Sequence, residues 1–108
     1  MTTRPRQWFL FTEKDGRVTS TAKNMGEFRT LLADAPERQL DRHLRAADFS
    51  SWFGGLGEPD LTRRARVVEE DYSRGDIESA EAQALLQGLV RIYFGVGRPA
   101  RLGWLLRD

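Results

Sequence analysis

A short apolar run, a turn signal and a mostly polar run follow one another near the start of the chain, and this order predicts a β-hairpin. Residues 8–12 form an aromatic-rich run with high strand propensity. Asp15 and Gly16 follow, and this pair favours a tight turn because glycine accepts the positive φ that hairpin turns require. Residues 17–21 fit a returning strand with few apolar side chains. We therefore predict a hairpin over residues 7–21, with its second strand at an edge.

After Asn24 the apolar residues recur every three or four positions, which is the spacing of amphipathic helices. Asn24 is a candidate N-cap, and Glu27 stands three residues later, as in a capping box. Pro36 ends this helix or opens the next one. The pattern predicts four further helices, which carry Leu40 to Ala47, Phe49 to Phe53, Pro59 to Arg74, and Ile77 to about Gly95. We expect Asp48 or Ser50 to cap the shortest of them.

The last predicted helix has more apolar residues than one buried stripe requires. The stripe that we expect to face the core consists of Ile77, Ala80, Ala84, Leu85, Gly88, Leu89 and Ile92. The surplus residues, on other sides of the same helix, are Leu86, Val90, Tyr93 and Phe94. The predicted main core consists of Phe9, Phe11, Phe28, Leu31, Leu32, Leu44, Phe49, Trp52, Leu61, Val68, Leu85, Leu89 and Ile92.

The C-terminal segment, residues 97–108, is too apolar to stay in solvent by itself. Leu102, Trp104 and Leu106 alternate with other residues, which favours a strand. A third strand would strengthen a hairpin, because two strands alone are marginally stable. A short amphipathic helix and an unpaired segment that docks on a partner are the alternatives. The predicted fold class is α+β, with a small antiparallel sheet of the N-terminal hairpin, with or without this segment, packed against four or five helices.

The composition fits one globular domain over residues 1–108. Of its 108 residues 40% are hydrophobic and 31% charged, and the net charge is +1, so no overall field attracts polyanions. The absence of cysteine excludes disulfides and thiolate chemistry. No stretch reaches the roughly 18 apolar residues of a membrane span, and residues 8–11 are too few for the apolar part of a secretory signal. We expect a cytoplasmic protein that does not enter a membrane.

Two segments share letters with known binding motifs but fit plainer interpretations. Residues 70–81 align with a calcium-binding loop, yet Tyr72 and Arg74 stand where calcium needs oxygen ligands. We interpret this segment as a corner between two helices. Residues 95–100 match a relaxed dinucleotide fingerprint, but they follow a helix instead of a strand, so we interpret them as the end of that helix. No metal or cofactor is predicted.

His43 is the only histidine of the chain. Asp48 or Asp41 could orient it for general acid–base catalysis, which also needs a substrate cleft. Because His43 lies at the margin of an apolar stripe, we interpret it as a structural residue that bonds to the backbone or to a carboxylate. We predict no catalytic residue and no enzyme.

Arginine residues cluster on two predicted helices. The clusters are Arg38, Arg42 and Arg45 on one helix, and Arg63, Arg64 and Arg66 on another. Six guanidinium groups could hold a phosphate backbone. Acidic residues, however, stand four positions from three of them, which is the spacing of ion pairs on a solvated helix. These pairs are Asp34 with Arg38, Asp41 with Arg45, and Glu70 with Arg66. We favour a surface of ion pairs, with nucleic-acid or ribosome binding as the alternative.

The stretch from Phe9 to Leu61 carries a series of short motifs. After an aromatic strand come Ala22-Lys-Asn24, Glu27-Phe28, Leu31-Leu32, His43-Leu44, Asp48-Phe-Ser-Ser-Trp52 and Leu56-Gly-Glu58. This series resembles a family of small prokaryotic domains of unknown function, with the pattern AKN-x-x-EF, HL and DFS-x-W. The resemblance implies no catalytic residue, and residues 77–108 lie outside it.

The surplus of apolar side chains carries the functional prediction, because exposed apolar patches usually mark contacts with other molecules. We predict a non-catalytic protein-interaction or regulatory module that binds a protein partner or a second copy of itself. The candidate contact residues are Leu86, Val90, Tyr93, Phe94, Trp104 and Leu105. The alternative is nucleic-acid binding through the six clustered arginines.

Overall fold

The computed structural model describes residues 7–94, and it confirms the predicted α+β class. Two strands and five helices follow one another along this part of the chain. They are β1 (Phe9–Thr12), β2 (Val18–Ala22), α1 (Met25–Asp34), α2 (Glu37–Arg45), α3 (Asp48–Gly55), α4 (Pro59–Ser73) and α5 (Ser79–Phe94). The predicted third strand and the segment at residues 95–100 lie outside the described residues.

The two strands form the predicted antiparallel hairpin, in which Phe9 pairs with Ala22 and the register shifts after Phe11. Gly16 lies in the connecting turn with a φ of +90°, a conformation that favours glycine. Phe9 and Phe11 are buried, whereas Leu10 between them is 44% exposed. One face of the small sheet therefore packs on the core, and the other face remains in solvent.

Local capping begins and ends the helices largely as the sequence predicts. The side chain of Asn24 accepts a hydrogen bond from the Glu27 amide at 2.9 Å, and Glu27 accepts one from the Lys23 amide at 2.8 Å. At the end of α4, Arg74 is the C-cap and Gly75 follows with a φ of +86°. This left-handed residue turns the chain into α5. The segment that shares letters with a calcium loop is thus a helical corner.

Aromatic rings fill the space between the hairpin and helices α1, α2 and α3. The centroid of the Phe9 ring lies 4.8 Å from that of Phe11, 5.2 Å from Phe28 and 5.2 Å from Phe49. Phe28 is fully buried and its ring centroid is 4.7 Å from that of Trp52. Predicted core residues that are buried are Phe9, Phe11, Phe28, Leu32, Leu44, Phe49, Leu61 and Val68, while Leu31, Trp52 and Leu89 are half-buried. Further buried apolar residues are Ala22, Leu40, Phe53, Ala65, Ala82, Leu86 and Val90.

The start of α3 differs from the prediction that Asp48 or Ser50 caps it. The N-cap position is Ala47, which has a left-handed backbone with a φ of +58° and gives no side-chain hydrogen bond. Asp48 is instead the first helical residue, and its carboxylate contacts His43. The Ser50 amide donates to Glu69 of α4 at 3.0 Å. A carboxylate from another helix therefore takes the place of the local cap.

The predicted rotation of α5 about its axis is wrong. Ala82, Leu86 and Val90 are fully buried, whereas Leu85 and Ile92, predicted to be in the core, are 44% and 67% exposed. The second half of this helix is apolar on nearly every side, so its periodicity does not define which side packs. The neighbouring helices decide the rotation.

Gln83 holds α5 against the end of α1. Its Nε2 donates to the carbonyl oxygens of Leu32 at 2.7 Å and Ala33 at 3.2 Å. These carbonyls lie in the last turn of α1, where the helix supplies few partners; the Leu32 carbonyl also accepts a hydrogen bond from the Ala35 amide at 3.3 Å. A polar side chain among apolar neighbours thus helps to set the side of α5 that faces the core.

Candidate functional site: an apolar groove between two helices

His43 is a buried structural residue, as the sequence predicts. Its Nδ1 lies 2.8 Å from an oxygen of Asp48, and its Nε2 accepts a hydrogen bond from the Thr12 amide at 3.1 Å. Because an amide can only donate, Nε2 carries no proton and Nδ1 donates to the carboxylate. The ring is 2% exposed and packs against Phe9 and Phe49. Both nitrogens are occupied, so the arrangement fixes the hairpin to α2 and α3.

The predicted contact surface on α5 has to be corrected. Leu86 and Val90 are fully buried and contribute nothing to the surface. Tyr93 and Phe94 are half-buried and pack against the core. Trp104 and Leu105 lie outside the described residues. The same wrong rotation that placed Leu85 in the core placed Leu86 on the surface.

An apolar groove of about 370 Å³ runs between α4 and α5. Its lining consists of Arg64, Val67 and Val68 from α4, and Ala84, Leu85, Gly88, Leu89 and Ile92 from α5. In the described part of the chain five large apolar side chains are exposed, and three of them, Val67, Leu85 and Ile92, lie here. The other two, Leu10 and Val18, are on the hairpin. The apolar surplus is real, but it is on the other side of α5 from the predicted one.

Helical spacing and one glycine give the groove its shape. Leu85, Gly88 and Ile92 follow one another at three and four residues, so they lie along one side of α5. A Cβ atom added at Gly88 would have no neighbouring atom within 4 Å among the described residues. The missing side chain of Gly88 therefore deepens the groove. No neighbouring helix or strand of the described residues comes close enough to require glycine at this position.

Val67 is a groove residue that the sequence analysis did not single out. It is 51% exposed, while its neighbour Val68 is 7% exposed. Adjacent helical residues point about 100° apart, so two successive valines cannot both face the core to the same extent. An apolar residue beside the buried stripe was the available signal.

A cation stands at the rim of the groove. Arg64 Nε donates to the hydroxyl oxygen of Tyr93 at 3.2 Å, and this contact ties α4 to the end of α5. Arg64 makes no ion pair with a carboxylate of residues 7–94. No carboxylate of the described residues pairs with this positive charge beside the apolar surface, which favours an acidic group on a molecule that docks there.

The six clustered arginines do not form one free basic surface. Partners hold five of them: Glu13 for Arg38, Thr12 for Arg42, Asp41 for Arg45, Asp60 for Arg63 and Tyr93 for Arg64. Of the predicted ion pairs Asp41 with Arg45 forms, while Asp34 with Arg38 and Glu70 with Arg66 do not among the described residues. Arg38 instead reaches the hairpin loop directly after β1, where it makes two 2.8 Å bonds to Glu13. This pairing weakens the alternative of nucleic-acid binding.

Three carboxyl groups have pKa values displaced by their surroundings. The hydrogen bond from Arg38 holds the pKa of Glu13 below its usual value, and the Tyr72 hydroxyl, together with a neighbouring arginine, does the same for Asp41. Burial raises the pKa of Glu69, and one of its oxygens has no hydrogen-bond partner in the described structure. The hydrogen bonds to Glu13 and Asp41 stabilise the fold, whereas the burial of Glu69 disfavours its charged form. None of the three carboxyl groups lines the groove.

Residues 7–94 contain no group of three His, Asp or Glu side chains that could hold a metal ion. Within the same residues, no helix combines the length and the apolar character that crossing a bilayer would require.

Comparisons of the chain with protein families, with curated proteins and with solved structures found no match. The resemblance to small prokaryotic domains of unknown function therefore stays a prediction. Function has to be argued from the geometry of the groove.

Proposed function

We propose that this protein is a non-catalytic protein-binding module, and that the groove between α4 and α5 holds an apolar helical segment of its partner. The proposed location is the cytoplasm, as the sequence predicts. One observation carries the proposal: three of the five exposed large apolar side chains in residues 7–94 line this groove. Clustered exposure of this kind is typical of contact surfaces.

The energy available in the groove is enough for a moderate contact. Val67, Leu85 and Ile92 are each about half exposed or more. Full burial of an exposed aliphatic side chain is worth about 1.5–3 kcal/mol, so completing the burial of each contributes about 1 kcal/mol. Part of this gain offsets the entropy that a partner loses on binding. We expect a reversible association.

The shape and charge of the groove define the chemistry of the partner. A groove between two helices accepts a third, amphipathic helix whose apolar residues recur every three or four positions. Arg64 at the rim would pair with an acidic residue beside that apolar stripe. The proposed occupant is thus an amphipathic helix of another protein, with a carboxylate next to its apolar side.

Site-directed photocrosslinking tests this proposal in the cell of origin. A benzophenone amino acid is placed at Leu85 in one version of the full chain and at Leu10 in another, because both side chains are 44% exposed. The segment that becomes crosslinked is identified by mass spectrometry. We expect position 85 to capture an amphipathic segment of another protein that position 10 does not capture.

Binding of that segment as a synthetic peptide then makes the result quantitative. Leu85→Gln should weaken the affinity at least about tenfold, or about 1.4 kcal/mol, because it loses the apolar burial and also places an unpaired amide in the contact. Leu10→Gln should leave the affinity unchanged. Equal capture at both positions, or equal affinities of the two variants, would contradict the proposal.

Light scattering separates a foreign partner from a second copy of the chain. If the groove binds a foreign helix, the purified protein keeps the mass of one chain at all concentrations. A mass that increases with concentration and returns to one chain in Leu85→Gln would assign the groove to self-association. That result would overturn the proposed partner.

A further inference from the structure

We propose that a polar recess between α1 and α5 binds the phosphate group of a small soluble molecule. The recess has a volume of about 330 Å³. Its lining consists of Arg29, Thr30 and Ala33 from α1, and Gln87 and Arg91 from α5. The site does not rest on the proposed protein-binding function, because its residues and those of the groove do not overlap.

Three side chains of this recess are hydrogen-bond donors that find no partner among residues 7–94. Arg29, Gln87 and Arg91 make no hydrogen bond and no ion pair with any residue between positions 7 and 94. Several other surface guanidinium groups are paired, as Arg38 is with Glu13 and Arg45 is with Asp41. Two guanidinium groups that line one recess repel each other, and a bound anion would relieve that repulsion.

Helix packing brings these donors together. Arg29 and Ala33 are one turn apart on α1, and Gln87 and Arg91 are one turn apart on α5, so each helix turns one patch towards the recess. The two helices pack against each other, and Gln83 fastens the contact. The donors come from positions far apart in sequence, so no local motif reveals them.

Two further polar groups near the recess have local partners. The Ala33 carbonyl, at the end of α1, accepts a hydrogen bond from Gln83 at 3.2 Å. The Thr30 hydroxyl donates to the Gly26 carbonyl at 3.2 Å, so its hydrogen points away from a ligand. No carboxylate is among the residues that line the recess. The site therefore offers two guanidinium groups and one amide to a ligand that accepts hydrogen bonds.

Charge matching favours phosphate over carboxylate. The two arginines provide two positive charges, and a phosphate monoester carries about −1.5 to −2 at neutral pH, whereas a carboxylate carries one negative charge. Each guanidinium can give two parallel hydrogen bonds to phosphate oxygens. The Gln87 amide is a neutral third donor. A phosphate that is free or attached to a small organic group satisfies all three side chains.

Nuclear magnetic resonance of the full, isotope-labelled chain tests the site. Inorganic phosphate and glycerol phosphate are titrated separately, with sodium chloride adjusted to keep the ionic strength constant. We expect saturable shifts of the Ala33 and Gln87 amides and of the Arg29 and Arg91 Nε–H signals. A higher affinity for glycerol phosphate would assign the site to phosphate monoesters, and an equal affinity would assign it to free phosphate.

Two double variants decide whether the recess is responsible. Combining Arg29→Gln with Arg91→Gln should weaken binding at least tenfold while the amide spectrum keeps its dispersion. Combining Arg17→Gln with Arg66→Gln removes two arginines outside the recess and should leave binding unchanged. Shifts that do not saturate, that sodium chloride alone reproduces, or that persist in the first double variant would overturn the proposal.

Discussion

The aromatic core and the groove between α4 and α5 are both apolar, but one is closed and the other is open. Around Phe9 and Phe28, large rings approach to centroid distances of 4.7–6.0 Å, and Phe28 is fully buried. In the groove, small aliphatic side chains and Gly88 meet, and Leu85 and Ile92 remain in solvent. The comparison separates apolar residues that hold the fold from those that are available for contact.

The difference has a physical origin in side-chain size. A phenylalanine ring fills the space between a strand and two helices and contacts several elements at once. Valine and leucine side chains on two adjacent helices are too short to fill the space between the helices, and glycine has no side chain to fill it. Substitutions in the core should therefore change the free energy of unfolding, whereas substitutions in the groove should change binding.

The largest expected effect is the loss of a central ring. Phe28→Ala should lower the free energy of unfolding by about 3–5 kcal/mol, because a cavity remains where a fully buried ring contacted its neighbours. Leu85→Ala, on a half-exposed groove residue, should change it by less than about 1 kcal/mol. Urea denaturation measures both. If the alanine variant does not fold, Phe28→Leu gives a smaller loss of the same sign. Equal losses at the two sites would contradict the comparison.

The next effect concerns the polar residue inside the aromatic core. His43→Leu leaves the partly buried Thr12 amide without its acceptor, which costs about 1–3 kcal/mol, whereas the Asp48 carboxylate, 43% exposed, can turn to water. Asp48→Asn keeps an oxygen acceptor for Nδ1 and should cost less. Denaturation curves and hydrogen exchange at the Thr12 amide are the measurements. Unchanged stability and unchanged exchange in His43→Leu would show that the histidine does not join these elements.

Glu69, on the buried side of α4, gives a pH-dependent prediction. Burial raises the pKa of this carboxyl in the folded state above its ordinary value of 4.5. The folded state thus holds the proton more tightly than the unfolded state, so this contribution to stability is full below pH 4.5 and is lost as the pH rises through the raised pKa.

Glu69→Gln cannot ionise and lacks this dependence. The free energy of unfolding of the original chain, minus that of the variant, should therefore decrease as the pH rises from 4.5 towards neutrality. Contributions from Glu13 and Asp41 are common to both proteins and cancel. Denaturation at a series of pH values measures the difference. A difference that is constant or increases with pH would contradict the raised pKa.

The smallest change in stability is expected in the groove itself. Gly88→Ala should raise the free energy of unfolding by about 0.5–1 kcal/mol, because alanine favours the helix and its Cβ meets no neighbour. The same methyl group narrows the groove and should weaken binding of the partner helix. Gly55→Ala, on α3 and outside the groove, should leave binding unchanged. Thermal unfolding and peptide titration measure the two effects. A lower free energy of unfolding in Gly88→Ala would show that the added Cβ meets neighbouring atoms, which would contradict an open groove.

Local signals explain how much of the fold was predictable. The hairpin turn at Asp15 and Gly16 and the Asn24 cap each depend on neighbours in sequence, and the structure confirms both. The capping of α3 by Glu69 joins positions 19 residues apart, and no local rule finds it. A prediction from sequence is reliable where the partners of a residue are its neighbours.

The sequence predicts an apolar contact surface on α5 but not which residues form it. A surplus of apolar residues on α5 was visible, but the residues named for it included Leu86 and Val90, which are buried. The packing of α5 on α1 and α4 decides which side of α5 is exposed. The sequence of a helix that is apolar on nearly every side does not indicate which side that will be. Leu85 and Ile92 could be placed in the groove only with the neighbouring helices present.

The most direct test of the central claim is the dissociation constant of the captured partner segment for Leu85→Gln compared with Leu10→Gln. The two leucines are equally exposed, one in the groove and one on the hairpin. The account predicts an affinity at least about tenfold weaker for the groove variant and an unchanged affinity for the hairpin variant. Equal dissociation constants would contradict it.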